Sequence, residues 1–237
     1  MSNWIAVRNW SLGLVCLACS ARASTLVSTT GQVIVLGTPP ASVASGGLES
    51  NTEAYFFQES QLILSSPLDV DITEPGTYTT VAELTPGTIA AGTDINSYML
   101  ESQPSSVPPA PNNYQTYVGS LTFNSPILGI IVEATSLNAT DALLGAPGTV
   151  YPPPSDLYSG LDLNTAGCSG STCGNDALSL SVNGDTLNFD YVTNYSEDEI
   201  RIITAATPEP RGIVLICLAL LPFLGLKSFR GALGKRG

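Results

Sequence analysis

Histidine is absent from the 237 residues of this chain, and its absence excludes several kinds of site. Histidine is the side chain that most readily exchanges a proton near neutral pH, so catalytic triads built on it are excluded. Zinc sites with histidine ligands are excluded for the same reason. The sequence shows no other catalytic constellation, and we therefore expect a protein that is not an enzyme.

Basic residues are almost missing from the middle of the chain. Between Ser24 and Thr207 there are 19 acidic residues and one basic residue, Arg201, so this stretch has a net charge of −18. Such a surface repels the phosphates of nucleic acids, which excludes DNA and RNA binding. Cations, neutral glycans and basic surfaces remain as partners. The same charge opposes self-association, and we expect this body to be monomeric.

Residues 1–23 have the pattern of a secretory signal peptide. Arg8 supplies positive charge, residues 12–19 form a short apolar segment, and a small-residue cleavage site ends at Ala23. We predict cleavage between Ala23 and Ser24 and export of the rest of the chain. A buried N-terminal helix is the alternative.

Cysteine is scarce, with five residues in the chain. Cys16 and Cys19 belong to the predicted signal peptide, and Cys217 lies in an apolar C-terminal run. Cys168 and Cys173, in the segment CSGSTC, are therefore the one pair in the body. In an oxidising compartment this spacing favours a small disulfide loop over a redox or metal site.

Residues 208–237 have three consecutive parts. Pro208-Glu209-Pro210 is an extended tripeptide that cannot continue a helix. Residues 212–226 are an uninterrupted apolar run, which predicts a short transmembrane helix. A basic tail over 227–237 follows, and the positive-inside rule keeps it in the cytoplasm. Its basic residues are Lys227, Arg230, Lys235 and Arg236.

This order of motif, apolar helix and basic terminus resembles the PEP-CTERM sorting domain, a signal also labelled the ice-binding protein C-terminal domain. The resemblance implies a Gram-negative bacterium whose exosortase-type membrane enzyme recognises Pro208-Glu209-Pro210. It also implies that the chain is first anchored in the inner membrane and then placed at the cell surface or outside the cell. A plain tail anchor is the alternative.

Residues 24–207 have the pattern of a β-rich domain. Apolar and polar residues alternate over 68–73, 117–124 and 178–191, and Asn183-Gly184 predicts a hairpin turn within the last of these. Further strands are predicted over 32–36, 55–64, 78–84, 97–101, 127–134 and 199–204. The segment 127–132 is apolar on both faces, which predicts a central strand.

One short helix is predicted over 136–144, with Ser136 or Asn138 at its start and Gly145 at its end. Many short strands separated by turns are typical of a sandwich. We therefore expect residues 24–207 to form an all-β domain, a single antiparallel β-sandwich of the jelly-roll type with one short helix.

Several acidic residues are candidates for a Ca²⁺ site, because this ion takes six to eight oxygen ligands. They are Asp156, Asp162, Asp176 and the run Glu197-Asp198-Glu199. None of them follows an EF-hand pattern. A solvated acidic surface is therefore the favoured interpretation, and no residue is assigned as a metal ligand.

The leading hypothesis for function is a non-enzymatic surface or extracellular-matrix protein that supports adhesion. The alternative is a carbohydrate-binding module for exopolysaccharide, assisted by Ca²⁺ or not, with a platform of tyrosines: Tyr55, Tyr114, Tyr117, Tyr151 and Tyr158. A glycoside hydrolase with a carboxylate pair is less favoured, because the sequence does not single out two carboxylates. An ice-binding role is also less favoured, because Thr77-Tyr78-Thr79-Thr80 is not repeated.

Overall fold

The computed structural model of the protein describes residues 26–105, 114–156, 159–164, 176–193 and 197–206. The predicted signal peptide with its cleavage site, the cysteine pair Cys168 and Cys173, Tyr158 and the whole predicted sorting signal over 208–237 lie outside these ranges. Within them, the single α-helix is short, and no helix is long and apolar enough to cross a membrane.

The described residues are mostly β-strand. The strands are β1 (Leu26–Gly31), β2 (Val33–Val35), β3 (Ala54–Ile63), β4 (Leu68–Val70), β5 (Gly76–Tyr78), β6 (Gly87–Ile89), β7 (Asp94–Ser102), β8 (Gln115–Phe123), β9 (Ile127–Ile131), β10 (Ala177–Leu180), β11 (Thr186–Thr193) and β12 (Asp198–Ala205). The helix α1 spans Ala134–Leu144, and a 3₁₀ turn spans Val81–Glu83.

Two five-stranded sheets form a sandwich. Sheet A has the order β1-β8-β11-β10-β5, sheet B has the order β2-β3-β7-β12-β9, and β4 pairs with β6 in a separate ribbon. Neighbouring strands are antiparallel except for β2 and β3, which are parallel. The prediction of a mostly β, sandwich-like fold with one short helix is confirmed.

The main core lies between the two sheets. Residues that alternate inward from both sheets, among them Phe56, Tyr98, Leu121 and Phe189, are almost completely buried there. The rings of Phe56 and Tyr98 stack with centroids 5.3 Å apart. Period-two burial in β8 and β11 matches the alternation in the sequence, so each of these strands has one polar face free for other contacts.

The outer face of sheet B is covered. Helix α1 and the β4–β6 ribbon pack on it through a second apolar cluster that includes Leu137, Ile131 and Ile203. A third cluster of Val43, Phe57 and Met99 lies on the same side of the sheet. Polar residues on this face of β3, β7 and β12 are consequently buried.

The prediction of a central strand over 127–132 is wrong, because β9 is the last strand of sheet B. It is apolar on both faces because both faces are covered. One side contacts the main core, and on the other Gly129 lies so close to Val70 of β4 that an added Cβ would be 2.6 Å from a Val70 methyl carbon.

The strand predicted over 78–84 is also wrong beyond its first residue, because β5 ends at Tyr78. The carboxylate of Glu83 accepts hydrogen bonds from the backbone N–H groups of Thr79 and Thr80 at 2.7 and 2.9 Å. These local bonds form a capping box, which stabilises a 3₁₀ turn over Val81–Glu83 instead of a strand. Thr79 and Thr80, two of the three threonines that would begin an ice-binding array, are used in this turn, whereas Thr77 lies in β5.

Helix α1 begins two residues earlier than predicted, with Glu133 at its N-cap. Asp71, which is distant in sequence, accepts hydrogen bonds from the N–H groups of Val132 and Glu133 at 2.8 and 2.9 Å. The hydroxyl of Ser136 donates to the same carboxylate at 2.9 Å. The predicted end at Gly145 is confirmed.

Candidate functional site

A row of small polar side chains crosses the outer face of sheet A through all five strands. From one edge to the other the registers align Thr30, Ser120, Asn188, Ser179 and Thr77. The hydroxyls of Thr30 and Ser120 are 2.7 Å apart, and the Asn188 amide donates to Ser179 Oγ at 3.0 Å. Adjacent strands lie about 4.8 Å apart, so the row is about 19 Å long.

A second, shorter row runs beside the first. Ser28 is opposite Thr122, and Thr122 is opposite Thr186. The hydroxyls of Thr122 and Thr186 are 3.2 Å apart. These residues alternate with the inward-facing core residues of the same strands, so both rows belong to the same face of the sheet.

This face carries almost no charge. Asp190 is the single charged residue in the five strands of sheet A, whereas residues 24–207 as a whole contain 19 acidic side chains. A shallow, open depression of about 450 Å³ lies over the row, with Thr30, Val118, Asn188 and Asp190 among its lining residues. The outer face of sheet A is therefore a hydrogen-bonding surface with one charged residue, Asp190, on an acidic molecule.

The tyrosines do not form a shared platform on this face. Tyr117 is completely buried between the sheets, so its predicted role as an exposed sugar contact is wrong. Tyr151 donates a hydrogen bond to Glu59 at 2.8 Å, and Tyr55 lies on sheet B. Tyr114 is exposed and stands just before β8.

Arg201 is buried under helix α1 on the outer face of sheet B. Its Nε and Nη2 atoms each donate to a carboxylate oxygen of Glu59 at 2.7 Å. Nη2 also donates to Asp141 at 2.9 Å, and Nη1 donates to the Thr140 hydroxyl at 2.7 Å. Burial by itself lowers the pKa of Arg201, but the adjacent Glu59 and Asp141 raise it overall, so the guanidinium stays charged.

Three of the predicted Ca²⁺ candidates meet at one end of the sandwich interior. The Asp176 carboxylate accepts hydrogen bonds from the N–H groups of Val192 and Asp162 at 2.7 and 2.8 Å. Burial raises the pKa of Asp176 to about 6. Asp198 is completely buried, and burial together with the charge of Asp176 raises its pKa well above the ordinary value.

Two more candidates lie at the same end, on the outer face of sheet B. Glu197 and Glu199 are nearly fully buried there, and Asp156 contacts Glu197. The interpretation as a solvated acidic surface is therefore wrong for these residues: Asp176, Glu197, Asp198 and Glu199. As the side chains are placed, no three acidic residues within the described ranges have the spacing of a metal site.

The sequence analysis missed Glu101 as a member of this group. It was included in a predicted strand over 97–101, where a lone charge is usually exposed. The register of β7 and β12 places Glu101 directly opposite Glu199, under the cover of the outer face. The available signal was a charged residue within a strand that is otherwise rich in apolar side chains.

Comparison of the chain with known protein families, with curated proteins and with solved structures finds no match.

Proposed function

We propose that this chain is a non-enzymatic, exported surface or extracellular-matrix protein that holds a neutral polysaccharide on the outer face of sheet A. The row from Thr30 to Thr77 carries this proposal. Hydroxyl and amide groups both donate and accept hydrogen bonds, as sugar hydroxyls do. A row about 19 Å long, by the strand spacing of about 4.8 Å, matches an extended polymer better than a compact ligand.

The charge of the molecule favours a neutral polymer over an anionic one. An anionic polysaccharide would be repelled by a body with a net charge of −18. The outer face of sheet A has one carboxylate, Asp190, so a neutral chain can contact the row without displacing counterions.

The sequence features at both ends support export. Cleavage between Ala23 and Ser24 would release the chain outside the cytoplasm, where Cys168 and Cys173 would form their disulfide. Pro208-Glu209-Pro210, the apolar run and the basic tail would then direct sorting by an exosortase-type enzyme. We also propose the jelly-roll class for the sandwich, since the chain crosses repeatedly between two five-stranded sheets.

The test is binding of residues 24–207 to insoluble neutral polysaccharides such as cellulose and chitin, with alginate as the anionic comparison. The double variant Thr77→Glu/Asn188→Glu places two charged side chains on the outer face of sheet A. We expect its binding to the neutral polymer to fall at least about tenfold, the effect of losing one or two hydrogen bonds. Circular dichroism checks that the variant is folded.

Ser66→Glu is the matched control, because Ser66 is exposed between β3 and β4, outside sheet A. It adds the same side chain and should bind like the unmodified protein. Unchanged binding by the double variant, or a preference for alginate, would exclude the outer face of sheet A as the polysaccharide site.

A further inference from the structure

Three buried glutamates lie together on the outer face of sheet B, at the end where β7 finishes and β12 begins. Glu101 and Glu199 are opposite each other in the register, which places their Cβ atoms about 5 Å apart on the same face of the sheet. Their exposed fractions are 0% and 1%. Glu197 is 2% exposed, and its negative charge acts on both of the others.

Most of the oxygens in this glutamate cluster, defined as Glu101, Glu197 and Glu199, have no hydrogen-bond partner. Within the described part of the chain, both carboxylate oxygens of Glu101 and one each of Glu197 and Glu199 are unsatisfied. The Glu197 carboxylate accepts a weak bond from the Gln103 amide at 3.3 Å and also has side-chain hydrogen bonds with Ser45 and Asp156. Buried carboxylates are normally hydrogen-bonded or paired, so these unsatisfied oxygens point to a missing partner.

The protein cannot supply the missing positive charge from its own body. Arg201 is the single basic residue between Ser24 and Thr207, and it lies on the same strand as Glu199. Its guanidinium is already bound by Glu59 and Asp141. Residues 24–207 contain no second basic side chain, so the partners available to the glutamate cluster are a cation or protons from solution.

We propose that a divalent cation, with Ca²⁺ as the best fit, binds at the glutamate cluster. Ca²⁺ takes carboxylate oxygens in flexible geometry and completes its shell with waters and carbonyls, so three glutamates can form the core of a site. The three carboxylates do not yet have metal-site spacing, so binding must draw them together by side-chain rotation. Such a site belongs to the class of extracellular modules, with a dissociation constant of about 10⁻⁴–10⁻³ M.

Protons are the competing way to neutralise the cluster. Burial raises the pKa values of Glu101 and Glu199 well above the ordinary value, and repulsion within the cluster adds to this. The surrounding ionisable groups are Glu49, Asp141, Asp156, Asp198, Tyr117, Tyr191 and Arg201. A cation effect must therefore be measured at a pH where the glutamates are driven towards ionisation.

The experiment measures thermal unfolding of the full chain in detergent at pH 8 and at pH 5, after metal removal with a chelator. Addition of 10 mM Ca²⁺ at pH 8 should raise Tm by about 3–10 °C if the dissociation constant is in the expected range. The rise should saturate with concentration and should be much smaller at pH 5. Isothermal titration calorimetry with Ca²⁺ alone should show the same concentration dependence.

The double variant Glu101→Gln/Glu199→Gln keeps the shape of the cluster and removes its charge. We expect it to fold, because like charges opposite each other destabilise a sheet, and to lose the Ca²⁺ response. Glu197→Gln is a milder second variant and should weaken the response. Asp69→Asn, at an exposed position of β4, is the matched control and should keep it.

Two outcomes would overturn the proposal. If Ca²⁺ leaves Tm unchanged at pH 8 while the protein is more stable at pH 5, protons alone neutralise the cluster. If the glutamine variants keep the full Ca²⁺ response, the ion binds elsewhere. Neither outcome affects the polysaccharide proposal, which rests on the opposite sheet.

Discussion

Arg201 shows how one residue can organise a face of this protein. It is the single basic residue between Ser24 and Thr207, and it connects β3, β12 and helix α1 through Glu59, Asp141 and Thr140. The Glu59 carboxylate also accepts hydrogen bonds from Ser97 at 2.7 Å and from Tyr151 at 2.8 Å. Helix α1 and the loop after it are therefore held to sheet B by a fully bonded polar network rather than by apolar contact alone.

Replacing Arg201 with methionine tests how much this network contributes to the stability of the fold. The change keeps much of the side-chain volume but leaves Glu59 buried without its cationic partner. Removing one partner of a buried ion pair costs about 3–5 kcal/mol, so the free energy of unfolding should fall by that amount. Urea unfolding of residues 24–207 provides the measurement.

Asp141→Asn is the control for the Arg201 prediction, since Asp141 is partly exposed and asparagine can still accept the hydrogen bond. We expect a loss of about 1 kcal/mol or less. A loss of similar size in both variants would show that Arg201 acts through the helix surface and not through Glu59.

Individual strands show where the local sequence pattern predicts the position of a strand in the fold and where it does not. The hairpin predicted at Asn183-Gly184 forms as expected, with Gly184 at φ 69° and β10 paired to β11. In contrast, β9 has the composition of a central strand and stands at an edge. An apolar composition on both faces indicates that both faces of a strand are covered. For β9, the β4–β6 ribbon and helix α1 cover the outer face.

The segment 208–237 gives a prediction at the same scale. The last strand of the described residues, β12, ends at Ala205, four positions before Glu209 in the sequence. Glu209→Ala should change the free energy of unfolding by less than about 0.5 kcal/mol, as surface substitutions usually do. In a host with an exosortase-type enzyme, the variant should stay full length in the inner membrane while the unmodified chain is processed.

Membrane fractionation followed by mass spectrometry of the C-terminus would distinguish the two forms. A deletion of residues 212–226 serves as the comparison, because it removes the apolar run and should release the protein from the membrane. Processing of Glu209→Ala at the normal rate would identify the segment as a plain anchor.

At the scale of the whole molecule, the buried carboxyl groups should make stability depend on pH in an unusual direction. The pKa values of Glu101, Glu199 and Asp198 are raised well above normal by burial, and that of Asp176 is raised to about 6. The folded state therefore holds protons that the unfolded chain, with carboxyl pKa values of about 4, releases. Each such proton stabilises the folded state at low pH and ceases to do so as the pH rises through the raised pKa.

We expect the free energy of unfolding, measured in chelator, to decrease from pH 5 to pH 8. The slope should be about 1.4 kcal/mol per pH unit for each proton held by the folded state alone. Urea unfolding at several pH values measures it. Glu101→Gln/Glu199→Gln should flatten the slope, and a stability that increases towards pH 8 in chelator would contradict the raised pKa values.

Much of the fold followed from the sequence, because it depends on local pattern. Alternation in β8, β10 and β11 indicated which side chains face the core, and turn residues marked their ends. Two strands, β1 and β6, were not predicted because their local signals are weak. β1 follows the predicted cleavage site and has few apolar residues, and β6 has three residues. The signal peptide and the sorting signal predicted at the two ends of the chain rest on local sequence pattern and stay predictions.

The candidate sites depended on tertiary structure instead. The polar row contains one residue from each of five strands, and Thr30 is 158 positions from Asn188, so no local pattern could align them. Glu101 and Glu199 are brought face to face in the same way, by the register of two distant strands. The sequence by itself determined the charge, the absence of histidine and the strand faces, which are properties of single residues and short segments. The tertiary structure decided which polar groups share a surface and which acidic groups lose their water, because both depend on strand order.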